Sequence, residues 1–90
     1  MNTHHLKTDS DLFEKSLEGI KKFEIRLNDR NYSVGDVLIL KETKFSGSEM
    51  KEGKPLEYTG RTKVVSVSYI LEGYGLKENW VVMGVMDVDC

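Results

Sequence analysis

The chain has 90 residues, 39 % hydrophobic and 31 % charged, with a formal net charge of −2. That length supports one domain over residues 1–90, because two cores of half the size would not offset their own ordering entropy. Without a basic excess, tight non-specific binding to long nucleic acid is disfavoured, although a local basic patch is still possible.

Thr3 to Lys7 reads as a short strand. Thr8-Asp9-Ser10-Asp11 follows as a cluster of cap residues. Asp9 or Ser10 can accept from the free amides of a first helical turn, and Asp11 complements the dipole there. Leu12, Phe13, Ser16 and Leu17 recur at helical spacing, with Ile20 just beyond, and Glu14, Lys15 and Glu18 take the opposite face. Gly19 is placed to end this helix near residue 18, since the left-handed backbone of a helix end is least strained in glycine.

Lys22 to Leu27 alternates. Phe23, Ile25 and Leu27 are expected in the core, with Lys22, Glu24 and Arg26 on the other face. Asn28 to Asn31 is a turn, and Val34-Gly35-Asp36 is a second corner. Val37 to Lys41 is a continuous apolar strand, expected to be central. Residues 43–57 hold two glycines, the only proline and several charges, and are expected to form a long mobile loop. Thr62 to Leu71 is rich in β-branched residues and reads as a long strand. Trp80 to Val88 is the last strand, with Gly84 marking a bulge or bend. The order β-α-β-β-loop-β-β predicts an α+β fold: a small mixed β-barrel with one N-terminal amphipathic helix.

No apolar run approaches the roughly 18–20 residues that span a bilayer. The first residues carry no apolar signal segment. The single cysteine, Cys90, allows neither an internal disulfide nor a multi-cysteine metal site and fits a reducing compartment. A cytoplasmic protein without membrane contact is expected. His4 and His5 are adjacent, so their rings point to opposite faces of a strand, and neither metal nor cofactor is expected.

Chemistry concentrates in residues 19–30, GIKKFEIRLNDR, which hold six charged side chains. Glu24 and Arg26 are neighbours on one strand face, about 6.6–7 Å apart along the chain. Strict alternation would place Lys21 on the apolar face, which is costly for an ammonium. Lys21 is therefore expected in the connector after Gly19, free to swing toward Glu24. Two cations and one anion at a barrel mouth can hold a polar, partly anionic ligand, the cations meeting phosphate and the carboxylate meeting base or sugar donors. The competing reading is a solvated strand face with ion pairs of about 0–1 kcal/mol.

The spacing Gly19-x-Lys21-x-x-Glu24-x-Arg26 resembles the signature of the ASCH domain, a relative of the PUA and YTH-type RNA-binding pseudobarrels. The order of helix, glycine, motif strand, turn and VGDVLIL is similar to that superfamily. The stretches YTGR (Tyr58 to Arg61) and YILEGYGL (Tyr69 to Leu76) resemble a branch of small bacterial and phage proteins of about this length. The resemblance implies a PUA-like pseudobarrel that binds short single-stranded RNA or a modified nucleotide through Lys21, Glu24 and Arg26. Arg30 can add a phosphate contact, and Tyr74, between two glycines, can add a stacking surface. Arg61, Trp80, Tyr58 and Tyr69 invite similar readings, with surface or packing roles as the simpler ones.

The alternative is an enzyme. One ASCH-like group hydrolyses acylated cytidines with a lysine, a threonine nucleophile and a glutamate. Lys21 matches that lysine, but Glu24 stands where the threonine would be, and a carboxylate cannot replace an activated hydroxyl in acyl transfer. No residue is therefore assigned a catalytic role. An RNA-cleaving reading has neither a histidine pair across a site nor a carboxylate cluster behind it. A protein-interaction module using the segment around Phe45 and Met50 is a third reading.

Overall fold

A computed structural model describes residues 1–88. Cys90 lies outside them. Five strands form one sheet: β1 (Thr3–Thr8), β2 (Phe23–Leu27), β3 (Val37–Thr43), β4 (Tyr58–Glu72) and β5 (Trp80–Asp87). Helix α1 (Ser10–Leu17) joins β1 to β2, and α2 (Gly47–Lys51) lies between β3 and β4. The strand order is β1-β3-β4-β5-β2, with β1 and β3 parallel and the other neighbours antiparallel. The sheet curls into a half-barrel whose two edge strands, β1 and β2, face each other across an open seam.

The fold is α+β, as expected, and its curl is compatible with a small pseudobarrel. One helix was expected, and the described residues hold two. The segment 43–57 begins with the last residue of β3 and contains α2, which has its own capping box. The Ser46 hydroxyl accepts from the Glu49 amide and the Glu49 carboxylate accepts from the Ser46 amide, satisfying two free donors reciprocally.

The inner face of the half-barrel carries Leu6, Leu38, Leu40, Val65, Val67, Val81, Met83 and Val85, closed by Phe13 of α1. Helix α1 ends as its sequence predicts. Gly19 has φ +76°, and the Ile20 amide reaches back to the Lys15 carbonyl at 3.0 Å. Its start differs. The Asp9 side chain caps nothing in α1 and instead accepts from the Gly47 amide of α2 at 3.1 Å, while Ser10 donates to Glu42 at 2.7 Å. Long-range partners therefore displaced the local cap.

Strand β2 corrects the sequence reading most sharply. Its alternation is real, but its polarity is inverted. Phe23, Ile25 and Leu27 lie outside at 47 %, 47 % and 44 % exposure, whereas Glu24 is 2 % exposed. The register explains this: Glu24 sits opposite Met83 and Arg26 opposite Val81, both core residues, so pleating turns the charged positions inward. The outward apolar positions lie beside Trp80 and Val82 on the outer surface of β5.

Gly84 marks an irregularity, as expected, but the extra residue belongs to the partner strand. Val67 pairs with Val85 and Tyr69 with Gly84, so Ser68 is the bulged residue.

Candidate functional site

Lys21 lies in the connector between Gly19 and β2, where alternation has not yet begun. Its ammonium pairs with one oxygen of Glu24 and donates to the Phe23 carbonyl at 2.7 Å. The other Glu24 oxygen accepts from Arg26 through Nη2 at 2.9 Å and Nε at 3.2 Å. The three motif side chains thus converge, with Lys21 and Glu24 largely withdrawn from water. This is neither a solvated strand face nor a lysine in bulk solvent.

Arg26 does a second job. Its Nη1 donates to the Lys7 carbonyl at 3.0 Å, and Nη2 lies 3.4 Å from Thr8 Oγ1. Arg30 likewise donates to the His5 carbonyl at 2.8 Å. Lys7 and His5 belong to the edge strand β1. Two guanidiniums therefore span the seam that no backbone ladder closes.

Two cavities follow one another along this seam. One, of about 220 Å³, is bordered by Lys7, Thr8, Leu12, Lys21, Glu24 and Arg26. The other, of about 260 Å³, is bordered by Lys7, Arg26, Arg30, Tyr32 and Trp80. Arg26 and Lys7 line both, so the pair reads as one groove from Lys21 to Trp80. Burial pushes the Tyr32 phenol above its usual range, against the opposing pull of Arg30 and Arg26, so it is a neutral donor at physiological pH. Lys21 has three donors and uses two on protein acceptors among the described residues, which leaves one for a ligand.

Tyr74 stands apart. It is 91 % exposed on the turn between β4 and β5, at φ +51°, and lines neither seam cavity. Trp80, read from sequence as a packing residue first, borders the groove. The spacing of the strands on either side of the seam decides between the stacking and packing roles its sequence position left open.

Two buried acidic centres lie elsewhere, and neither was singled out from sequence. Glu42 accepts from Arg61 Nε and Nη2, each at 2.8 Å, from Thr59 at 2.6 Å and from Ser10 at 2.7 Å. Arg61, followed by Thr59 and Ser10, holds this carboxyl at about 2 against the opposing effect of burial. Arg61 itself also pairs with Glu14 and lies over the Phe13 ring at 5.3 Å, so it locks α1 onto the sheet. Asp36 accepts from the amides of Asn2 and Ser33, each at 3.0 Å, and bonds His4 Nε2 at 2.8 Å. His4 is buried against Tyr32 and His5 is exposed, as the alternation requires. Glu42 lies beyond the strand read from sequence over Val37 to Lys41; in the structure β3 runs on to Thr43 and turns Glu42 inward with Leu38 and Leu40.

Among the described residues, no helix is long and apolar enough to cross a membrane. No curated protein matches the chain. A family model does match, over residues 3–85, which takes in α1, Lys21 and the β2 residues Glu24 and Arg26, the seam and every other strand up to the inner residue Val85. On that match the chain belongs to the family described as Domain of unknown function (DUF3850).

Proposed function

We propose that this chain is a binding module for short single-stranded RNA or a modified nucleotide, held in the seam groove, in keeping with its resemblance to ASCH and PUA-like domains. The observation that carries the reading is the convergence of Lys21, Glu24 and Arg26 on one cavity. Lys21 and Arg30 supply positive charge for phosphate or carbonyl oxygens. Glu24 is a positioning residue: with both oxygens held by its own cations, it fixes where they point. Tyr32 offers a neutral hydroxyl and Trp80 an indole face in the adjoining cavity, which suits a base or sugar. The net charge of −2 restricts the partner to something short, because a long polyanion would be repelled by the rest of the surface.

The test is fluorescence anisotropy with labelled short RNAs and single nucleotides at two salt concentrations, on the wild type and on Lys21→Ala. Saturable binding that weakens with salt, and by about tenfold in the variant, is expected. Absent binding, or binding unchanged in a variant whose circular dichroism is native, overturns the reading. Incubation with N4-acetylcytidine runs beside it; turnover abolished by Lys21→Ala would put hydrolysis in place of binding.

A further inference from the structure

Behind Lys21 lies a third cavity, of about 180 Å³, away from the seam. Its wall includes Gly19, Lys21, Lys22, Lys63, Val85 and Asp87. Lys21 also borders the first seam cavity, so it stands in the wall between the two. Three lysines and one aspartate are among the lining residues, in a chain whose overall charge is negative.

Lys63 is the unusual member. Its register partner on β3 is the core residue Leu40, so the strand turns the Lys63 stem inward. The side chain is 15 % exposed, a costly position for an ammonium. Its compensation is partial: the Ser16 carbonyl in the last turn of α1, and Asp87 at 3.1 Å, whose own side chain is largely in water. Lys21 is matched by Glu24, on the far side of the wall. No carboxylate among the described residues lies within ion-pair distance of Lys22. With Lys21 matched by Glu24, Lys22 and Lys63 set against Asp87 leave the lining one positive charge in excess. Apart from its own chain neighbours, nothing lies within 4 Å of where a Cβ on Gly19 would project.

We infer that this cavity is an oxyanion site, and that its ligand is a phosphate group held by Lys22 and Lys63 with Lys21 at its rim. A phosphate monoanion balances the excess charge, and its oxygens can accept N–H bonds from the two ammonium groups. The inference does not rest on the nucleotide reading of the seam, since inorganic phosphate alone is sufficient to fill the site.

The experiment is a ¹H–¹⁵N titration of the whole chain with inorganic phosphate, against sodium chloride at matched ionic strength. Saturable shifts specific to phosphate are expected at Gly19, Lys22, Lys63, Val85 and Asp87. Lys22→Gln and Lys63→Gln should each weaken binding about tenfold, Asp87→Asn should tighten it, and Lys77→Gln, beyond the opposite end of β5, should leave it unchanged. Lys22 is an exposed connector residue, so Lys22→Gln carries the test if Lys63→Gln does not fold. Shifts that match those in chloride, or an affinity the Lys22 and Lys63 variants do not change, overturn the site. A nucleoside monophosphate separates the sources. The same amides shifting alone mark free phosphate, and shifts reaching Thr8 and Leu12 mark a nucleotide that bridges both cavities; either outcome supports the site. Phosphate binding without RNA binding would leave this site standing and remove the seam reading.

Discussion

Glu24 and Glu42 are both buried carboxylates with an arginine partner, and they differ in what else they hold. Glu42 receives two hydroxyls and a bidentate guanidinium, a closed structural set. Glu24 receives only its two neighbouring cations, which border open space. Breaking a buried pair strands a charge, so Glu24→Gln should lower stability by about 3 kcal/mol, measured by urea unfolding. Lys21→Met should cost less, about 1 kcal/mol, because Glu24 keeps Arg26. Equal losses would mean that Lys21 is as structural as Glu24. Sequence spacing could bring Lys21, Glu24 and Arg26 to one side because they lie within six residues. It offered Lys7 and Trp80 only as secondary candidates and could not supply Thr8 and Tyr32, because their places depend on how β1 and β5 flank β2.

Strand β2 shows the limit of reading an element by its apolar residues. Alternation identified which residues share a face, but the inner face was decided by the register with β5, and the charged set went inward because it neutralises itself. Helix α2 escaped detection because it is five residues long and buries nothing; it stands on its cap. Ser46→Ala should therefore raise hydrogen exchange at the Met50 and Glu52 amides by about 1 kcal/mol of lost protection while the global melting temperature stays nearly constant. A matching global loss would show that α2 supports the sheet. At the bulge, a Cβ on Gly84 would lie 3.2 Å from Ser68 Oγ. That crowding opposes the roughly 0.5–1 kcal/mol that alanine gains over glycine in a strand. Gly84→Ala should be near neutral alone and stabilising beside Ser68→Ala, and thermal melts of the three variants would expose an equal effect in both backgrounds.

Across the whole molecule, acid sensitivity follows from the two acidic centres with lowered pKa. The Asn2 amide, then His4 and Ser33, hold the Asp36 carboxyl below its usual range against burial; Glu42 sits at about 2. Groups with depressed folded pKa contribute stability above their unfolded values, near pH 4, and lose it as pH falls toward the folded values. The urea midpoint should therefore fall from about pH 5 down to pH 2, and Glu42→Gln should flatten part of that fall. Parallel curves for the variant and wild type would remove Glu42 as a cause. The sequence by itself determined the strands, the end of α1 at Gly19 and the place of Lys21 off the alternation. Each of these depends on backbone geometry within a few residues. Only the tertiary structure decided that β2 turns its charges inward, that Asp9 caps across to α2, that Arg26 and Arg30 span the seam to β1, and that Lys22 and Lys63 share a cavity. These depend on register and sheet curl, which bring together residues separated by up to several tens of positions and which no local pattern encodes.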